Sequence, residues 1–245
     1  MPPRDQTFRT INRKFGKAIH RYRMIADGDR ILVGLSGGKD SLTLLWFLKE
    51  RLAWIPVDYE LAAAYIDPGF DDCTALALKD LCRRSGIAFH LIKTEHGLLA
   101  HSGENRENPC FLCARKRRQH LFELTERLGF NKIALGHNRD DLIETLLINI
   151  FFAGQIASIA PSQSFYGGRF SVIRPLALTE EKTIADFVEE RKLPHLVNPC
   201  PSAQSSKRHE VKQLLQSLCS RNDTVKGNIL RAIRRLELDF RIHEP

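Results

Sequence analysis

Long apolar runs are missing from this 245-residue chain. A membrane-spanning helix needs about 18–20 consecutive apolar residues, and the best candidate, LLINIFFAG at 146–154, is too short. The first stretch, MPPRDQTFRTINRKFGKAIHRYRM, lacks the apolar core of about 7–15 residues that marks a secretory signal. The expectation is a soluble, cytoplasmic protein with no membrane partner. Cysteine is sparse and unevenly placed: six in all, none before residue 73 and none after residue 219. In a reducing compartment these are thiols or metal ligands rather than disulfides. Acidic residues are in deficit, 29 against 37 Lys and Arg, and the formal charge of +8 favours a polyanionic partner. Internal repeats and low-complexity tracts are absent too, and an apolar content of 43 % excludes a disordered chain. The length suffices to bury a core in one domain with an appendage.

What is present alternates. Apolar β-type runs at 30–34, 59–66, 88–93, 132–135 and 171–173 are separated by helical patterns near 39–53, 71–85, 112–128, 140–152 and 179–191. Repeated β-α order predicts an α/β fold, a parallel sheet with helices on both faces. Right-handed crossovers then gather the strands' carboxyl ends along one edge, where ligands bind. A basic helical N-terminal leader (1–27) precedes a main domain (28–200), and C-terminal helices follow (201–245). The segment 94–110, TEHGLLAHSGENRENPC, reads as loop.

The first strand runs into Ser36-Gly37-Gly38-Lys39-Asp40-Ser41 and then an apolar helix. Two glycines let the backbone approach a ligand closely. Two hydroxyls, a cation and the unpaired N–H groups of a helix start make the turn an anion site, above all for phosphate. The spacing differs from the common triphosphate loop, which needs four residues before its Gly-Lys-Ser/Thr. An acid directly after the lysine suits a Mg²⁺ ligand.

Cys110 and Cys113 form a Cys-x-x-Cys whose two sulfurs can face one metal centre, and Cys200 stands in a proline-bounded turn, Asn-Pro-Cys-Pro. Cys73, Cys82 and Cys219 lie in helical patterns and read as small apolar residues. Three ligands leave three readings open: a dithiol redox pair with Cys200 incidental, zinc with a histidine as fourth ligand, or a [4Fe–4S] cluster with one open iron.

Taken together, these stretches resemble a known family. Ser-Gly-Gly-Lys-Asp-Ser is similar to the PP-loop of the ATP pyrophosphatases, of the adenine nucleotide alpha hydrolase-like fold. Cys-Phe-Leu-Cys-Ala-Arg-Lys-Arg-Arg (110–118), Ala-Leu-Gly-His-Asn-Arg-Asp-Asp-Leu-Ile-Glu-Thr (134–145), Ile-Arg-Pro-Leu (173–176) and Asn-Pro-Cys-Pro-Ser (198–202) resemble the tRNA 2-thiocytidine synthetases. The likeness runs from about residue 11 to 220. It implies ATP as cosubstrate, a [4Fe–4S] cluster on Cys110, Cys113 and Cys200, and sulfur placed at C2 of a cytidine in the tRNA anticodon loop. It also implies a sulfur donor, either sulfide or one fed by a cysteine desulfurase, and a homodimer. The family commonly has Cys-x-x-Cys-Gly-Ser at the third cysteine, and here one cysteine is followed by Pro-Ser-Ala-Gln.

In this scheme Ser36, Gly37, Gly38, Lys39, Asp40, Ser41 and Gly136 hold the nucleotide. Lys39 neutralises the departing pyrophosphate, and Asp40 with Asp140 or Asp141 holds Mg²⁺. Cys110 and Cys113 deliver sulfur, through the cluster or as a persulfide. Arg115 and Arg118 fall on one helix face beside them and suit an RNA backbone. The competing readings are a sulfurtransferase acting on another nucleoside or a small molecule, and a nucleotide-binding module without turnover. A lysidine synthetase needs no Cys-x-x-Cys, and thiouridine-forming relatives carry cysteine pairs at both chain ends.

Overall fold

The computed structural model describes residues 5–194, 196, 200–202 and 206–241. Among the described residues there are six strands: β1 (Asp29–Leu35), β2 (Tyr59–Asp67), β3 (Ala88–Lys93), β4 (Lys132–Leu135), β5 (Ser162–Phe165) and β6 (Phe170–Ile173). The helices are α1 (Gln6–Arg21), α2 (Lys39–Leu52), α3 (Cys73–Arg84), α4 (His96–Ala100), α5 (Pro109–Leu128), α6 (Arg139–Ala153), α7 (Glu181–Glu190), α8 (Lys207–Arg221) and α9 (Val225–Arg241). The strands form one sheet in the order β3-β2-β1-β4-β6-β5. All neighbours are parallel except β5, which runs antiparallel to β6. Among the described residues no helix is long and apolar enough to cross a membrane.

Alternation along each strand divides the core. Ile31, Val33, Leu35, Ala63, Tyr65, Ala134 and Ile173 face one side, where α1, α2, α3 and α7 contribute Phe15, Phe47, Leu78 and Phe187. Leu32, Ala62, Ala64, Ile66, Ile133 and Val172 face the other, covered by Leu121 and Leu124 of α5. Side chains with period two on a strand buried on both faces require this arrangement. The expected strands agree with five observed ones to within one residue at each end. The sixth, β5, was not expected, and α4 interrupts the expected loop at 94–110.

The chain forms two units, Met1–Asn138 with Pro161–Ser202, and Arg139–Ala160 with Ala203–Pro245. This differs from a division at residues 27 and 200. The basic leader is not set apart: Ile11 and Phe15 of α1 are fully buried in the first unit's core, each burial contributing about 1.5–3 kcal/mol. Asp5 starts that helix by accepting from the Phe8 N–H at 2.8 Å. The second unit takes α6 together with α8 and α9, because Ile143 packs with Val211 and Leu215 in a core of its own.

Candidate active site

The carboxyl end of β1 delivers the chain into the glycine turn. Gly37 adopts φ +78, a left-handed conformation that L side chains rarely take, and a Cβ there would lie 3.2 Å from Leu196. The Leu196 N–H donates to the Gly37 carbonyl at 2.9 Å and braces the turn. Gly38 is the N-cap of α2 and has no side chain with which to cap it, so the first-turn N–H groups and the positive helix end face an incoming anion. Ser41 ties the turn shut: its hydroxyl donates to the Gly38 carbonyl at 2.9 Å and accepts from the Ser36 N–H at 3.2 Å. Gly136, just past β4, admits the start of α2, since a Cβ there would stand 2.8 Å from the Ser41 nitrogen.

Lys39 Nζ lies 3.1 Å from Asp40 Oδ2 and 2.9 Å from Glu181 Oε1. Burial pulls the Lys39 pKa down, but the two carboxylates outweigh it and leave the ammonium above its ordinary value. The side chain of Asn138 donates to Asp40 Oδ1 at 3.0 Å and fixes that carboxylate from the end of β4. Glu181 escapes a reading by motif because it reaches the loop from elsewhere in the chain, and Asn138 stands inside the quoted 134–145 stretch without its role showing there.

Cys110 lies in the first turn of α5 and Cys113 follows at the start of the second. Asn108 caps the helix by accepting from the N–H groups of Cys110 and Phe111, Pro109 fits the first helical position, and Gly129 at φ +70 ends it. The first turn of a helix favours thiolate over thiol. Burial nevertheless holds the Cys113 thiol above its ordinary pKa; Arg117 lowers it, and Cys200 and Cys110 raise it again. Cys110 and Cys200 thus lie within electrostatic reach of Cys113. Cys200 Sγ lies 3.9 Å from His101 Nε2. His101 Nδ1 is 2.8 Å from the Gly97 carbonyl, which only accepts, so Nδ1 carries the proton. Nε2 is thus the acceptor, and the Ser202 hydroxyl donates to it at 2.6 Å. Asn198 and Pro199 of the cysteine turn lie outside the described residues.

Arg115 turns back to Glu107 at 3.1 Å and over the Phe111 ring, while Arg118 is exposed. Arg174, of the Ile-Arg-Pro-Leu stretch, is 7 % exposed and donates through Nε to His137 Nδ1 at 3.2 Å. Burial, reinforced by Arg118, brings its pKa down to about 10. Asp140 and Asp141, expected as further magnesium ligands, open α6 in the second unit. There Asp140 pairs with Lys226 at 2.5 Å and Asp141 with Arg208 at 2.8 Å, contacts that tie α6 to α9 and α8.

One buried group gives a stability prediction. The Thr94 hydroxyl spends its proton on the Asp67 carbonyl, so His96 Nδ1 must donate to the Thr94 oxygen. His96 Nε2 is then a bare acceptor, buried without a partner among the described residues. Protonating it would put a second cation beside Arg117, and burial, with His120 and Arg117, lowers the pKa to about 4. Between about pH 4 and 6.5 the unfolded chain binds a proton that the folded one refuses, so stability falls with falling pH. From pH 7.5 to pH 5 the loss is about 2 kcal/mol. Urea midpoints at the two pH values measure it, and His96→Leu shrinks the difference; an unchanged difference in the variant refutes the assignment.

A mostly parallel sheet with a glycine-rich, lysine-bearing turn between its first strand and the next helix defines a nucleotide-binding α/β protein. Residues 8–218 match the family model described as the PP-loop domain, and the chain belongs to that family, within it to the tRNA-cytidine 2-sulfurtransferases, which are transferases. It is 39 % identical over 236 residues to the tRNA-cytidine(32) 2-sulfurtransferase of Geotalea uraniireducens, covering 95 % of this chain and 94 % of that one. It is 38 % identical over 229 residues to the enzyme of the same name from Geobacter sulfurreducens, covering 92 % and 89 %. Among solved structures it resembles the U34-tRNA thiolase NcsA from Methanococcus maripaludis with its [4Fe-4S] cluster. That match has a TM-score of 0.78 and 25 % identity over 94 % of this chain and 78 % of that one. The NH3-dependent NAD synthetase from Campylobacter jejuni shares the fold alone, with a TM-score of 0.53 and 14 % identity over 97 % of this chain and 96 % of that one.

Proposed function

We infer that this enzyme uses ATP to replace the C2 oxygen of a cytidine in tRNA by sulfur, acting at position 32 as its relatives' names state. The observation that carries the reading is the capless, glycine-built start of α2 with Lys39 beside it, in the same unit as three neighbouring thiols.

The C2 oxygen is a poor leaving group. Its attack on the α-phosphorus of ATP forms an O–P bond and breaks the bond to the β-phosphate oxygen, so pyrophosphate leaves. The N–H groups at 38–41 cradle that pyrophosphate. Lys39, released from Asp40 and Glu181, neutralises the charge that builds on it. Asp40, aimed by Asn138, would hold Mg²⁺. Hydrosulfide then attacks C2, the C–O bond breaks, and AMP departs with the former C2 oxygen. The sum is cytidine, ATP and hydrosulfide giving 2-thiocytidine, AMP, pyrophosphate and a proton, with no change of oxidation state.

The donor set fits a cluster better than a single ion. Zinc requires four donors in one tetrahedron. Cys110, Cys113 and Cys200 are one donor short of that set. In a [4Fe–4S] cluster each thiolate takes a different iron, so the ligands spread further apart. Cys110, Cys113 and Cys200 would hold three irons, and the cluster supplies a fourth iron free of protein thiolate, a Lewis acid for incoming sulfur. Arg115 and Arg118 meet the tRNA backbone on the exposed side of α5. In the same reading the enzyme works in the cytoplasm as a homodimer and draws its sulfur from sulfide or a cysteine desulfurase.

The test is an oxygen-free incubation with ATP, Mg²⁺, sulfide and tRNA. Pyrophosphate release that requires tRNA and matches 2-thiocytidine formed is the expected result. ATP bound and left intact, with tRNA unmodified, overturns it in favour of a nucleotide-binding module.

A further inference from the structure

A cavity of about 420 Å³ opens where β2 and β3 end, lined among others by Asp67, Phe70, Thr94 and Leu98. That volume lies in the usual range for small-ligand pockets, roughly 300–1,000 Å³. No residue of the glycine turn at 36–41 lines it. The cavity is therefore distinct from the phosphate cradle, and it adjoins the thiol side of the unit. The Phe70 ring stands 5.6 Å, edge to face, from the His101 ring, and His101 Nε2 is 3.9 Å from Cys200 Sγ.

Two of its walls are built to hold a planar polar ligand. Phe70 is clamped from behind: a Cβ on Gly97 would come within 2.8 Å of its ring, so only glycine allows α4 to press against it. Asp67 is 3 % exposed. One of its oxygens accepts from the Gly69 N–H at 2.8 Å, a bond that Gly69 reaches at φ +90. The other oxygen has no hydrogen-bond partner among the described residues. The remaining aspartates here are committed, Asp71 to the Thr74 N–H at 2.9 Å and Asp72 to Lys93 at 2.8 Å. Asp67 lines the cavity, so its second oxygen is an acceptor available to a donor that enters there.

The geometry points to this cavity as the pocket for the target base, with cytosine stacked on Phe70 and its exocyclic amine donating to Asp67. This deepens the reading above and rests on it. Enzymes that modify a base take it out of the stack and read its Watson–Crick edge. A carboxylate acceptor matches the N4 amine of cytosine. It rejects uracil, which presents a carbonyl oxygen at the same place, so Asp67 sets cytidine over uridine. Stacking on Phe70, one histidine ring from Cys200, keeps the base beside the sulfur source. Adenine also carries an amine, which makes the nucleobase of ATP the rival occupant.

Asp67→Asn preserves the bond to Gly69 through its amide oxygen, and Phe70→Leu preserves an apolar wall. Thiolation of anticodon stem-loops bearing C or U at position 32 is measured for wild type and both variants, with ATP affinity by calorimetry. Asp67→Asn is expected to lower the preference for C over U by about ten- to a hundredfold. Phe70→Leu is expected to raise KM for RNA about tenfold, and ATP affinity stays unchanged in both. An unchanged C-over-U preference overturns the proposal. So does an ATP affinity weakened tenfold, which assigns the cavity to adenine. Should the wild type thiolate neither RNA, the thiolation reading itself fails, and binding of the two stem-loops still decides the cavity. Tighter binding of C, lost in Asp67→Asn, supports it; equal binding by wild type overturns it.

Discussion

Lys39→Ala lowers ATP-dependent turnover by about 10²- to 10³-fold, the range observed when one group that stabilises developing charge is removed. The magnitude follows from where the ammonium stands. It is the cation at the first position of α2, beside the N–H groups that face the anion, and two carboxylates keep it charged. The loss falls on kcat more than on ATP affinity, because backbone donors still bind the ground-state phosphates while charge on the leaving pyrophosphate goes unmet. Single-turnover pyrophosphate release and ATP calorimetry separate the two. The variant also leaves Asp40 and Glu181 facing each other without their shared cation. Lys39→Arg controls for that: it restores the charge and the folding stability, yet remains impaired because a planar guanidinium replaces a compact ammonium. Equal kcat in wild type and Lys39→Ala would remove Lys39 from the chemistry.

The parts legible in the sequence were those where local pattern and tertiary structure agree. Strands buried on both faces announce themselves as apolar runs such as Ile31-Leu32-Val33, and the glycine turn declares itself because φ +78 and a close helix start both need glycine. The polar strand Ser162–Phe165 gave no signal, since Ser-Gln-Ser-Phe has no alternation and pairing with β6 alone makes it a strand. Helix α4 has five residues, too few for a helical period to show. Arg174 enters the sequence only as part of the Ile-Arg-Pro-Leu stretch, and its burial against His137 shows only in the fold. His101 sits in a polar stretch that reads as loop, and only the folded chain brings it to Cys200 across about a hundred residues. Asp140 and Asp141, two adjacent acids at a helix start, suggest a metal in the sequence, and the fold also sets Lys226 and Arg208 against them, which the sequence does not announce. Sequence pattern carries the chemistry of a site well when its groups are contiguous and poorly when one partner arrives from a distant element.

The cysteines permit the sharpest separation of mechanisms. Protein purified without oxygen carries about four irons and four acid-labile sulfides per chain. Cys110→Ala, Cys113→Ala and Cys200→Ala each lose most of that iron, together with thiolation. Tenfold or greater loss of product is expected in each, while pyrophosphate formation on the tRNA survives, because the glycine turn and the thiols are separate groups of residues. Cys113 is the most informative of the three. Its thiol is half-buried, and burial together with the neighbouring sulfurs disfavours its thiolate, so as a lone nucleophile it is poorly activated. Bound to iron, the same sulfur gives up its proton to the metal and the burial becomes an advantage, since it shields the bond from water. A persulfide mechanism makes the opposite demand: an exposed cysteine open to a sulfur donor, which Cys110 at the start of α5 provides and half-buried Cys113 does not. Iron lost equally in all three variants therefore supports cluster chemistry. Thiolation that survives Cys113→Ala and Cys200→Ala but not Cys110→Ala, without iron in the wild type, makes Cys110 a persulfide carrier and removes the cluster from the mechanism.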